Sequence, residues 1–169
     1  MNVTLHKAVL SLGSNIGDRT SWLKKATQSV RNLPGTVVLS KSSIYETEPV
    51  DVPDQFTNES FLNAVIIIET QLTASQLSDS IHKIENQLQR VRGIPNQPRT
   101  IDIDIITFDD LISDTTQLIL PHPRAHLRRF VLQPLAEIKP DLVLPGQTED
   151  ITALLRLLPD LPSVKFFET

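Results

Sequence analysis

Over the first two thirds of the chain, apolar positions alternate between short continuous runs and series spaced three and four apart. Residues 8–13 (AVLSLG) predict a short buried strand ending at Gly13. Asp18 or Thr20 is placed to cap the helix that follows, where Leu23, Ala26, Val30 and Leu33 recur at helical spacing until Pro34 and Gly35 stop it. Residues 36–47 (TVVLSKSSIYET) are rich in β-branched side chains and predict a strand. After a polar loop with Pro49 and Pro53, residues 61–70 (FLNAVIIIET) predict a strand whose centre is apolar on both faces. Thr73 and Gln76 then form a capping box, and Leu77, Ile81, Ile84, Leu88 and Val91 step along one helix face.

Residues 93–98 read as a loop, and 100–108 (TIDIDIITF) as the next strand. The order β-α-β-β-α-β is that of the ferredoxin-like split βαβ fold. Downstream, a segment rich in Pro and Arg leads into a short helix (FVLQPLAEI), a short strand near 142–144 and a terminal helix (DITALLRLLPD). The expectation is one α+β domain spanning 1–169: a ferredoxin-like βαββαβ core with a C-terminal extension, in three αβα layers.

Composition narrows the function. The 169 residues include no cysteine, which removes disulfides, thiolate metal sites and thiol nucleophiles together. A formal net charge of −4 argues against a general nucleic-acid binder. No apolar run approaches the ~20 residues of a membrane span, and the first residues lack the pattern of a signal peptide. A cytoplasmic monomer that binds neither membrane nor nucleic acid is expected.

The chemistry concentrates in PRTIDIDI. Strand side chains alternate faces, so Asp102 and Asp104 project from one face roughly 7 Å apart while Ile101, Ile103 and Ile105 fill the other. Their repulsion is about 0.6 kcal/mol in water and about 2.4 kcal/mol at an effective dielectric of 20. An exposed pair on the wet face of an antiparallel strand would mean little; a half-buried pair requires a cation. Hard oxygen donors at this spacing suit magnesium, which keeps waters and takes its other ligands from phosphates. Arg90, Arg92 and Arg99 lie upstream, and Arg124, Arg128 and Arg129 downstream with His122 and His126. Guanidinium forks match phosphate oxygens, so the acids and arginines together point to a metal-bound polyphosphate.

Other segments read more plainly. GSNIGD (13–18) is a tight turn with a helix cap and neither a P-loop nor a Rossmann fingerprint. His122, between two prolines, has a restricted backbone and either a structural or a phosphate-binding role. Tyr45, Phe61 and Phe130 read as core aromatics. Asn63 lies in an apolar strand, and its buried amide must bond either to neighbouring groups or to a bound heterocycle.

The stretches LGSNIGD, SSIYET, FLNAV, PRTIDIDI, LPHPR and RRFVLQPLAEI occur in this order, and from about residue 8 to 145 the chain resembles the 6-hydroxymethyl-7,8-dihydropterin pyrophosphokinase family. The resemblance implies transfer of the β,γ-diphosphoryl unit of ATP to the hydroxymethyl group of the dihydropterin, with release of AMP and with two Mg²⁺ ions. It implies that Asp102 and Asp104 bind the metal and that Arg90 and Arg99 bracket a mobile loop and act in the transfer. It places Glu85, His122 and Arg128 at the nucleotide. Thr47, Val50 and Asn63 would surround the pterin, sandwiched between Phe61 and Phe130.

The chain departs from the family pattern in a few places: Asn96 stands where many members carry Trp, the 93–98 loop is about one residue shorter than in some, Phe61 replaces a Tyr, and Gln117 replaces an Arg. The rival readings are a two-metal nucleotidyltransferase, whose Gly-Ser loop would normally lie close before the acids, and a ferredoxin-like RNA-binding module.

Overall fold

A computed structural model of the chain describes residues 2–49, 54–56, 60–93, 95 and 97–169. Among them, most of the expected elements form, in the expected order. Strand β1 (His6–Ser14) extends past the apolar run at both ends. Helix α1 (Arg19–Arg31) is capped by Asp18, whose carboxylate accepts from Ser21 N at 3.0 Å, so Asp18 and not Thr20 supplies the cap. Gly17, at φ +68°, makes the turn that brings the cap into place. Strand β4 (Phe61–Thr70) has the expected bounds. In helix α2 (Ala74–Gln87) both halves of the Thr73–Gln76 capping box are made.

Three expectations need correction. The single strand over 36–47 is two, β2 (Thr36–Lys41) and β3 (Tyr45–Thr47). Ser42 divides them: its N–H still donates to Val65 O, but its hydroxyl accepts from Val65 N and donates to Ser43 O, so a side chain takes one of the ladder bonds. Helix α2 stops before Val91, which is 74% exposed. Gln89 at φ +64° turns the chain back, and Arg90 N reaches Glu85 O. The strand near 142–144 is only an isolated bridge, Val143 to Asp150.

Strand β5 (Asp102–Phe108) is followed by a small hairpin of β6 (Ser113–Asp114) and β7 (Ile119–Leu120). Helices α3 (Arg129–Ile138) and α4 (Ile151–Leu157) and an unforeseen strand β8 (Val164–Phe166) complete the chain. The main sheet is antiparallel throughout, in the order β5-β1-β4-β3-β8, with β2 also paired to β4.

Period-2 alternation on the central strands builds two cores. Ala8, Leu10 and Leu12 of β1, with Leu62, Ile66 and Ile68 of β4, pack under α1 and α2. Val9, Val65 and Ile106 pack on the opposite face under α3 and α4. Each fully buried Leu or Ile, such as Leu10, Ile66 or Leu132, contributes about 1.5–3 kcal/mol relative to exposure. The second core covers only part of its face. What remains open is the site.

Candidate active site

On β1, positions 9, 11 and 13 share the face of the second core: Val9 packs into that core, and Ser11 and Gly13 follow it along the strand. Ser11 and Gly13 form the floor of a cavity of about 310 Å³. The register sets its two banks. Gly13 lies opposite Asp102 on β5 and Asn63 on β4, and Ser11 lies opposite Asp104 and Val65. Thr47 is paired with Phe61 farther along the same face. One bank is therefore acidic, and the other carries an amide and an aromatic ring.

Asp102 and Asp104 are partly enclosed, at 24% and 37% exposure. Arg90 Nη1 donates to Asp102 Oδ1 at 2.6 Å, and Arg99 Nε lies 3.3 Å from Asp102 Oδ2. Asp104 has looser support: Arg128 Nη1 is 3.9 Å and His122 Nε2 4.0 Å from its Oδ2. Burial, joined by the charge of Asp102, outweighs Arg128 and pushes the Asp104 carboxyl up to about 7. Burial works against the Arg90 guanidinium, but Asp102 and Glu85 overcome it and hold its pKa above the usual arginine value.

Burial, with Arg128 and Arg124 nearby, pulls His122 down to about 4, so its ring is neutral at pH 7. His122 Nδ1 accepts from Arg124 N at 3.2 Å. Its Nε2 lies 3.5 Å from Arg128 Nη1, which can only donate, and 4.0 Å from the Asp104 carboxylate, which can only accept while ionised.

Glu85 stands behind the cavity and not in its wall. It is 2% exposed, accepts from Ile103 N at 2.9 Å, and binds both Arg90 and Arg92 through very short contacts. It thereby ties α2, the returning chain and β5 together. The GSNIGD turn holds the other arginine: Asn15 Oδ1 accepts from Arg99 N at 2.7 Å, and Asn15 N donates to Arg99 O at 3.2 Å.

On the opposite bank Asn63 Nδ2 donates to Thr47 Oγ1 at 2.8 Å, and both residues are buried. Phe61 lines the cavity instead of filling a core, and Phe130 lines it while packing against the second core, with Arg99 over the first ring and Arg128 over the second, each 5.3 Å from the ring centre. Tyr45 is not a core residue either. Its hydroxyl donates to Glu137 at 2.9 Å, and its ring meets Phe166 edge-on. Burial and the Glu137 carboxylate raise its pKa to about 12.

The structure thus gathers Arg90, Arg99, Asp102, Asp104, His122, Arg124, Arg128, Thr47, Phe61, Asn63 and Phe130 in one cleft. Val50 and Asn96 lie outside the described residues. Arg129 turns away, donating to Pro159 O and Leu158 O at 2.9 Å to fix the end of α4. His126 is also absent from the cavity wall, and Arg92 reaches only Glu85 and a smaller neighbouring cleft.

Sequence reasoning missed Ser11, Gly13 and Glu48 as lining residues and Asn15 as the clamp on Arg99. The small residues at 11 and 13, alternating with Leu10 and Leu12, were the available signal for the first two. Distance along the chain also proved a poor argument against the nucleotidyltransferase, since Gly13 is a direct neighbour of Asp102. The better argument is that Ser14 is wholly buried, so no Gly-Ser hydroxyl is offered to the site.

Among the described residues, no three acids or histidines converge to form a metal cage by themselves. Two hard carboxylates beside guanidinium groups fit magnesium better than zinc or calcium, because magnesium keeps waters and shares phosphate oxygens.

A cleft able to hold a polyphosphate against one bank and a flat heterocycle against the other belongs to the class of phosphoryl-transferring enzymes. Residues 9–140 match the profile of the 7,8-dihydro-6-hydroxymethylpterin-pyrophosphokinase family, and the chain belongs to it.

The chain is 45% identical over 131 residues to the 2-amino-4-hydroxy-6-hydroxymethyldihydropteridine pyrophosphokinase of Bacillus subtilis, covering 78% of this chain and 77% of the relative. It is 36% identical over 158 residues to the protein of the same name from Haemophilus influenzae, covering 94% and 96%. Its fold matches that of a Plasmodium falciparum HPPK-DHPS crystal structure with a TM-score of 0.69 at 17% identity, over 92% of this chain and 42% of the larger one.

Proposed function

We propose that this chain transfers the diphosphoryl unit of ATP to the hydroxymethyl group of 6-hydroxymethyl-7,8-dihydropterin, releasing AMP, in folate biosynthesis. One observation carries the reading: Asp102, Gly13 and Asn63 lie side by side in register. Adjacent strands are about 4.8 Å apart, so roughly 10 Å separates the acidic bank from the amide bank. That span suits a bicyclic heterocycle whose short arm reaches a phosphate at the carboxylates.

Asp102 and Asp104 would hold two magnesium ions with the triphosphate. Bound there, magnesium supplies charge neutralisation at the phosphate oxygens and lowers the pKa of the acceptor hydroxyl. Arg90 and Arg99, at the two ends of the 90–99 segment, would cover the transferring phosphates, and Arg128 and neutral His122 would contact the nucleotide phosphates. Phe61 and Phe130 offer ring faces for stacking, and Asn63, fixed by Thr47, reads the heterocycle edge. Val50 is assigned to the same pterin site by resemblance.

We also infer a single domain with a ferredoxin-like split βαβ core in three layers. Its support is the pairing order, with β1 between β5 and β4 and with β2 and β3 beyond, and helices on both faces. The expected setting is a cytoplasmic monomer. No helix among the described residues is long and apolar enough to cross a membrane.

The deciding assay supplies ATP, magnesium and the hydroxymethyl dihydropterin and identifies the products. AMP with diphosphorylated pterin supports the proposal, whereas release of pyrophosphate would assign a nucleotidyltransferase. Asn63→Ala is expected to weaken pterin binding by about tenfold with little change for ATP, since one edge contact is lost. Calorimetric titration of each ligand checks this, and equal weakening of both would remove Asn63 from the edge-reading role. Arg99→Ala is expected to depress turnover more than nucleotide affinity, and a change confined to affinity would make Arg99 an anchor.

A further inference from the structure

The residues on the two banks have roles in the proposed reaction, but the floor between them is a glycine in a strand, which a strand normally disfavours. Gly13 pairs on both sides, with Asn63 and with Asp102. Its backbone gives no reason for glycine, because the positive-φ glycines are Gly17, Gly35 and Gly146. The reason lies in the missing side chain. A Cβ at position 13 would sit 2.9 Å from Asn63 Oδ1 and 3.7 Å from Phe61 Cδ1, and the first distance is closer than real Cβ contacts come.

The Asn63 amide cannot simply swing aside. Its other end is bonded to Thr47 Oγ1 at 2.8 Å, and Thr47 and Asn63 are both buried. Relief would break that bond and leave a buried donor unpaired. The amide therefore rests on the bare Cα of Gly13 with its nitrogen toward Thr47 and its oxygen over β1.

We infer that Gly13 is a positioning residue for acceptor recognition: its lack of a side chain lets the Asn63 amide lie across β1 in the orientation that Thr47 fixes. The inference rests on the proposed function, since it concerns how the same site recognises the heterocycle.

The test uses the full chain. Dissociation constants are measured by calorimetry for the hydroxymethyl pterin and, separately, for magnesium with a non-hydrolysable ATP analogue, together with the melting temperature. Gly13→Ala is expected to weaken pterin binding at least ~10-fold. Nucleotide binding should stay within ~2-fold. Melting should fall by no more than a few degrees, because the lost Asn63–Thr47 bond is partly offset by alanine suiting a strand better than glycine does. In an Asn63→Ala background, Gly13→Ala should cost no further pterin affinity, because the amide it displaces is gone.

Equal pterin binding by wild type and Gly13→Ala would overturn the inference and leave the proposed function standing. Additive losses in the double variant would overturn the route through Asn63. If wild type itself binds no pterin, the proposed function fails instead. Should Gly13→Ala alone fail to fold, the double variant lacks the colliding amide and must fold; failure of both overturns the inference.

Discussion

Asp104→Asn is expected to cut turnover by at least ~10²-fold, the scale of removing a preorganised charge-stabilising group, while the fold stays as stable as wild type or becomes more so. The two effects share a cause. Among the described residues no cation comes closer to Asp104 than 3.9 Å, and its carboxyl is driven up by enclosure and by Asp102. An amide of the same shape removes that like-charge conflict and loses only the loose pairing with Arg128, which burial and Asp102 already outweigh. Asp102→Asn should lose activity equally but also lower the melting temperature, because Arg90 at 2.6 Å and Arg99 at 3.3 Å would lose their shared carboxylate. Steady-state product formation and thermal melts of both variants without magnesium check the contrast. Near-normal turnover in Asp104→Asn would remove the metal assignment, and a large fall in its melting temperature would make Asp104 a structural residue.

What could be read from the sequence depended on whether a signal was local. Strand β4 was legible because its apolar run, with Val65 and Ile66 burying on opposite faces, is the pattern of a strand covered on both sides. The start of α2 was legible because its capping box lies within four residues. Its end was not, since the apolar spacing runs on to Val91 while the φ of Gln89 decides where the helix stops.

The kink at Ser42 was hidden for a similar reason: a serine hydroxyl can take up a ladder bond, and nothing in TVVLSKSSIYET says that it does. Strand β8 is three residues long and depends on an edge supplied by β3. The site shows the same division. The Asp102–Asp104 face follows from strand alternation alone. That Arg124 and Arg128 enter the cleft while adjacent Arg129 leaves it follows from the turn at Ala125–Leu127 and the start of α3, which charge counting does not resolve. Gly13 acquires its meaning only from two strand registers, each linking it to distant sequence.

Glu85→Ala is expected to destabilise the fold by about 3 kcal/mol, the low end for breaking a buried charged pair, and so to lower the melting temperature by about 10 °C for a chain of this size. Glu85 is the only acid buried among the described residues. Removing it strands the N–H of Ile103 and leaves Arg90 dependent on Asp102 alone.

Glu85→Gln separates the structural loss from a functional one. An amide oxygen can still accept from Ile103 N, so melting should fall less. The charge that shares Arg90 with Asp102 is gone, however, and Arg90 then commits to Asp102, where it opposes a cation approaching the same carboxylate. The magnesium concentration for half-maximal turnover should therefore rise. Arg92→Ala is the control: its guanidinium is 49% exposed and, among the described residues, binds only Glu85, so both readouts should change little. Magnesium titrations of turnover and paired melts decide the matter. If Glu85→Gln leaves both the melting temperature and the magnesium requirement at wild-type values, the buried acid neither holds β5 nor divides Arg90 between two carboxylates.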